Sequence, residues 1–148
     1  MSNLSPLLAA YRKHPSVLQL VQALGSKGLE ARMYLKGLTG AQESFILAAS
    51  VIQIEKMSCH LLIANSKEEA AYRLNDLEGL IPDQAVYFFP DSFKRPAFFD
   101  DLNPTQMLQR SELISKITGT SASEKTIIVT YPEAMFEKVV KPEVLNKS

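Results

Sequence analysis

Gly37-Leu38-Thr39-Gly40-Ala41-Gln42-Glu43-Ser44 is the stretch whose reading decides the fold. It has the outline of a phosphate-binding loop, G-x-x-x-x-G-K-[ST], set between a strand and a helix. Gly37 takes the first position and Ser44 the last. Gln42 stands where the second glycine belongs, and Glu43 stands where the lysine belongs. In a working loop, backbone N–H groups and a helix N-terminus wrap the phosphates, and the lysine adds positive charge. Glycine is needed where the backbone comes close to the ligand, and Gln42 adds a side chain there. Glu43 turns an attraction into a repulsion of ~4 kcal/mol for like charges about 4 Å apart at an effective dielectric near 20. A carboxylate in a first helical turn does favour the helix. The octet thus reads as a phosphate loop that has lost its phosphate chemistry. Taken without its surroundings, it is also compatible with a plain glycine-containing strand-to-helix turn, because short motifs match by chance.

The surroundings supply the strand and the helix. Ala31 to Lys36 is the first strand candidate, and it feeds directly into Gly37. Ala41 to Met57 carries Phe45, Ile46, Leu47, Val51, Ile52 and Ile54, apolar on nearly all sides, which predicts a largely buried helix. Downstream, His60 to Ala64 (HLLIA) reads as a strand buried on both faces. Ser66 and Glu69 form a capping box for a helix bearing Ala70, Leu74 and Leu77 and ending near Gly79. Ala85 to Phe89 is a strand closed by Pro90, and a loop runs from Asp91 to about Leu102. Asn103-Pro104 opens a helix ending at Gly119, Lys125 to Thr130 is another strand, and Pro132 starts a short helix through about Val139. Upstream, Ser5-Pro6 and Pro15-Ser16 each open a short helix, the second ending at Gly25. Strands alternating with helices at this pitch predict βαβ units. The expected fold is α/β and three-layered, a mostly parallel sheet of about four strands with helices on both faces. Residues 1–28 form an N-terminal helical appendage and residues 29–148 the α/β domain.

Composition narrows the functions. The 148 residues are 46% hydrophobic and 22% charged, with 16 basic and 16 acidic side chains and zero net charge. That balance offers no global field for DNA or an anionic membrane. One cysteine excludes an intrachain disulfide and a cysteine-cluster zinc site. No apolar run reaches the ~18 residues of a membrane span, and the N-terminus lacks a signal-peptide pattern. These features lead us to expect a cytoplasmic protein.

From about Tyr34 onwards, an ordered set of segments resembles the N-terminal module of bacterial transcription-repair coupling factor. The segments are GLTGAQES, HLLIANSKEEAAYRLNDL, VYFFPD, LNPTQMLQRSELISKI and TIIVTYPEAMFEK, the last with Thr130, Tyr131 and Pro132 at its turn. That module is itself similar to the nucleotide-binding half of excinuclease B, so the resemblance implies a degenerate P-loop NTPase domain. The resemblance also implies a parent with an ATP-driven, helicase-like translocase motor. The parent dislodges RNA polymerase stalled on damaged double-stranded DNA and recruits nucleotide excision repair through excinuclease A. Its N-terminal module is implied to have lost ATP binding, and Gln42 and Glu43 occupy the degenerate positions. The segment between Asp91 and Asn103 is too short for the DNA-gripping hairpin of excinuclease B. The chain looks like a fragment of a longer protein, with the motor and most partner surfaces elsewhere. The expected partners of this piece are other domains of the parent chain, with ATP and magnesium confined to the motor.

The site residues expected from this reading are Gly37, Thr39, Gly40, Gln42, Glu43 and Ser44, a degenerate phosphate loop that holds no nucleotide. Ser44 is the magnesium position of an intact loop. Here it is expected to make a first-turn hydrogen bond instead. Lys36 precedes Gly37 and is not placed to replace the missing lysine. Phe93, Lys94, Arg95, Phe98 and Phe99 form a candidate contact patch. Cys59 reads as an inert small hydrophobe, and His14 and His60 lack partners at metal-ligand spacing. Arg110 is expected to cap a helix or pair with a carboxylate. No nucleophile–base pair is apparent, so no catalytic residue is assigned. The competing readings are a divergent domain with residual ATP binding and a stand-alone protein-interaction domain.

Overall fold

Thr126–Thr130 (TIIVT) is β-branched at every position, the composition that best fits a pleated, packed surface. In the computed structural model it is the central strand of a parallel sheet. The structure describes residues 5–25, 32–55, 59–92, 104–119 and 125–138. Along the chain the elements are α1 (Ser5–Lys13), α2 (Pro15–Gly25), α3 (Gln42–Gln53), β1 (Cys59–Ile63), α4 (Lys67–Leu80), β2 (Ala85–Phe88), α5 (Pro104–Gly119), β3 (Thr126–Thr130) and α6 (Pro132–Phe136). The strand order is β1-β3-β2, with Leu61 and Tyr87 both in register with Ile128. A parallel neighbour needs a crossover, and α4 and α5 supply the connections from β1 to β2 and from β2 to β3.

The core lies between the sheet and the α3–α4 pair. Ala48 and Val51 of α3, Ala70, Leu77 and Leu80 of α4, and Ile127 and Val129 of β3 form one buried cluster with Tyr131 and Ala134. Fully buried alanines at 48, 70 and 134 let the backbones come close. Across the sheet, α5 sets Arg110 over the Phe89 ring and Lys116 over the Tyr87 ring, centroid distances 4.2 and 4.5 Å. On the other side of the core, α1 and α2 pack on α3. Tyr11 stacks on Phe45 at 5.1 Å, and Gln53 Nε2 donates to the Arg12 carbonyl at 3.3 Å.

Several expectations need correction. Among the described residues the sheet has three strands, not four, because residues 32–36 run unpaired before Gly37. Met33, Tyr34 and Leu35 are all exposed there. Strand propensity reports fit to a pleated surface, not an intrinsic state, and this segment borders the helical α1–α2 surface instead of a sheet edge. HLLIA is not buried on both faces either, since Leu61 and Ile63 of β1 are half exposed. The expected α3 is also shortened, stopping at Gln53 instead of Met57. Lys125 Nζ donates to the Val51 carbonyl at 2.7 Å and the Ile52 carbonyl at 3.4 Å. A lysine on last-turn carbonyls satisfies orphan acceptors and suits the negative helix end. The closing helix ends at Phe136.

The predicted cap at Ser66 forms with one substitution of partner. Ser66 Oγ accepts from the Glu69 backbone N–H at 3.2 Å, worth about 1 kcal/mol. Glu69 reaches back one residue further than expected, accepting from the Asn65 N–H at 2.9 Å. That bond, with help from Arg73, holds the Glu69 carboxyl below the ordinary carboxylate range. Its stabilising effect is therefore full above the unfolded-state pKa and is lost as pH falls through the lowered value.

Candidate functional site

The loop begins and turns on its two glycines. Gly37 and Gly40 have φ of 76° and 56°, a left-handed region that a side chain resists. Between them the chain closes on itself. Gln42 Oε1 accepts from the Thr39 N–H at 2.9 Å and from Thr39 Oγ1 at 3.4 Å, and the Gln42 N–H donates to the Thr39 carbonyl at 3.2 Å. The Thr39 N–H is thus occupied by the Gln42 side chain.

The charge in the loop is answered from α4. Arg73 Nη2 lies 2.6 Å from Glu43 Oε2, and Arg73 Nη1 donates to Ser44 Oγ at 3.2 Å and to the Gly40 carbonyl at 3.4 Å. Glu69 and Asp76, one helical turn to either side of Arg73, lie 3.5 and 4.0 Å from its guanidinium. Ser44 is fully buried, and its hydroxyl donates to Asp76 Oδ2 at 2.8 Å. The result is an ion-pair network seated on the Gly37–Ser44 turn. Sequence reasoning placed Gly37, Thr39, Gly40, Gln42, Glu43 and Ser44 in one turn, and the structure brings them together as one. It did not find Arg73 or Asp76. The signal in the chain was the spacing Glu69, Arg73, Asp76, which lines three charges along one helix face.

Lys36 is exposed and lines a cavity of about 740 Å³ bounded by α1, α2 and residues 33–38 and reaching Gln42 and Ile46 of α3, so the Gly37–Ser44 turn itself forms part of its wall. His14 and Tyr11 lie on its wall. The His14 ring nitrogen Nδ1 accepts from the Ser16 N–H at 3.2 Å, the cap of α2. Cys59, read as an inert small hydrophobe, is exposed at the start of β1, which among the described residues pairs on one side only. The contact patch Phe93, Lys94, Arg95, Phe98 and Phe99 lies outside the described residues.

A second polar cluster sits at the carboxyl end of the sheet, the usual ligand end of open α/β folds. The Tyr131 hydroxyl donates to Asp91 Oδ1 and accepts from the Asp91 N–H at 2.9 Å. Burial, then the Asp91 carboxylate, push the Tyr131 phenol well above its ordinary pKa. Lys67 Nζ lies 3.8 Å from Asp91. Arg110 Nη1 donates to the carbonyls of Pro90 at 2.8 Å and Ala134 at 3.0 Å, and its Nε lies 3.6 Å from Glu137. Glu137 in turn accepts from the Ser92 N–H at 2.8 Å and from the Ser92 hydroxyl. These bonds tie the turn after β2 to the turn after β3. Arg110 pairs with a carboxylate as expected, and its chief partners are two backbone carbonyls.

Comparison with protein-family models, curated proteins and solved structures finds no match for the chain. No helix among the described residues is long and apolar enough to cross a membrane.

Proposed function

We propose that this chain is a non-catalytic scaffold module corresponding to the N-terminal part of transcription-repair coupling factor. In that reading it is a degenerate P-loop domain whose work is to hold neighbouring parts of a DNA-translocating parent. The parent acts on stalled RNA polymerase and double-stranded DNA and engages excinuclease A, while ATP and magnesium serve its motor and not this module. The observation that carries the non-catalytic reading is Arg73. It lies against Glu43, Ser44 and the Gly40 carbonyl, where an anion would have to bind. A nucleotide would have to displace that network and then face the Glu43 carboxylate.

Isothermal titration of the chain with ATP and Mg²⁺ is expected to give no heat of binding up to millimolar nucleotide. Sub-millimolar affinity would overturn the non-catalytic reading. The repair assignment has its own test. Deleting the segment from its gene is expected to alter the bias of excision repair towards the transcribed strand. An unchanged bias would remove the assignment and leave the loop chemistry intact.

A further inference from the structure

The cavity of about 740 Å³ beside α1, α2 and the Gly37 turn has the size of a small-molecule site, for which the ordinary range is about 300–1,000 Å³. Its walls are aromatic and aliphatic with a few polar groups among them, the usual make-up of such a site. Tyr11 is held in place by stacking on Phe45 at 5.1 Å. Tyr34 stands at the rim, 87% exposed, so most of its ring is open to contact. Leu38 and Ile46 add aliphatic surface beside Gln42.

Three polar groups of the lining share one property. His14 Nδ1 accepts from the Ser16 N–H at 3.2 Å. A neutral imidazole bonded in that way carries its proton on Nε2, so its other nitrogen is a donor. Gln42 Oε1 accepts from the Thr39 N–H at 2.9 Å, which leaves the amide NH2, again a donor. Lys36 brings an ammonium, which donates and cannot accept. The lining drawn from the described residues includes no carboxylate. Donors and a positive charge set among aromatic rings complement an acceptor-bearing anion with a ring of its own. One ammonium matches one negative charge. A triphosphate carries several, and Glu43, next to Gln42, adds repulsion.

We propose that this cavity binds a small aromatic monoanion, its ring system against Tyr11 and Tyr34 and its acidic group on Lys36, His14 and Gln42. The proposal goes beyond the scaffold reading and does not rest on it. The ligand occupies the α1–α2 side of the Gly37 turn and leaves the Glu43–Arg73 pair in place, so absence of ATP binding bears on one and not the other.

The probe is anilinonaphthalenesulfonate, titrated by fluorescence into the 148-residue chain, with its uncharged parent N-phenylnaphthylamine for comparison. The sulfonate is expected to saturate and to bind roughly fivefold tighter than the parent, the worth of one partly solvated ion pair. Amide shifts followed by NMR are expected to fall on residues 10–19 and 33–42. Lys36→Met is expected to weaken the sulfonate roughly fivefold and leave the parent compound unchanged. Tyr34→Ala is expected to weaken both about threefold or more, through loss of a ring contact. Both side chains are exposed, so neither change is expected to move the melting temperature. Four results would overturn the proposal. They are no saturable binding, equal affinity for the two compounds, shifts centred on other residues, and an unchanged sulfonate affinity in Lys36→Met.

Discussion

Arg110→Met lowers the unfolding free energy by about 3–4 kcal/mol. Arg110 is 5% exposed, and its guanidinium is the donor to the carbonyls of Pro90 and Ala134. Methionine keeps much of the stem's volume and removes the donors. Two acceptors at the carboxyl end of the sheet then lose their charge-assisted bonds, and Glu137 loses its cation. Arg110→Lys is expected to recover only part of the loss, because one ammonium cannot reproduce a planar fork that also stacks on Phe89. Urea denaturation would read this as a fall in midpoint at constant slope. A loss under 1 kcal/mol for Arg110→Met would show that the β2 and β3 turns hold without the fork.

Glu43→Lys destabilises the chain by about 2–4 kcal/mol. The wild-type pair is a short charge-assisted contact, a class worth about 1.5–3 kcal/mol. Its contribution is held towards the lower figure because Glu43 is 44% exposed. Lysine removes that contact and sets a second cation against Arg73, while Glu69 and Asp76 soften the repulsion. The swap Glu43→Lys with Arg73→Glu is expected to recover at least half the loss. The coupling energy from the double-mutant cycle, read by thermal or urea unfolding, should exceed 1 kcal/mol. Coupling near zero would mean that the pair does not hold the loop.

The elements were legible in the chain wherever a local signal existed. Ser66 with Glu69 marked the start of α4, Pro104 and Pro132 opened their helices, and Lys125 to Thr130 read as a strand. The Gly37–Ser44 turn was legible because positive φ at Gly37 and Gly40 demands glycine. The first strand candidate, Ala31 to Lys36, was misread because its apolar residues describe a surface without naming its partner. Leu61 and Ile63 were misplaced for the same reason: an apolar run does not reveal whether its strand lies at the centre or the edge of a sheet.

By itself, the sequence marked most of the segments that become helices and strands, and set an acidic group, Glu43, just after the Gly40 turn, because propensity, capping and charge are local properties. Only the tertiary structure decided what answers that acid and which strand lies at the centre of the sheet. Arg73 lies 30 residues from Glu43 along the chain, and β3, the last strand among the described residues, inserts between β1 and β2. Both depend on how helices and strands pack in space, and no spacing along the chain encodes that.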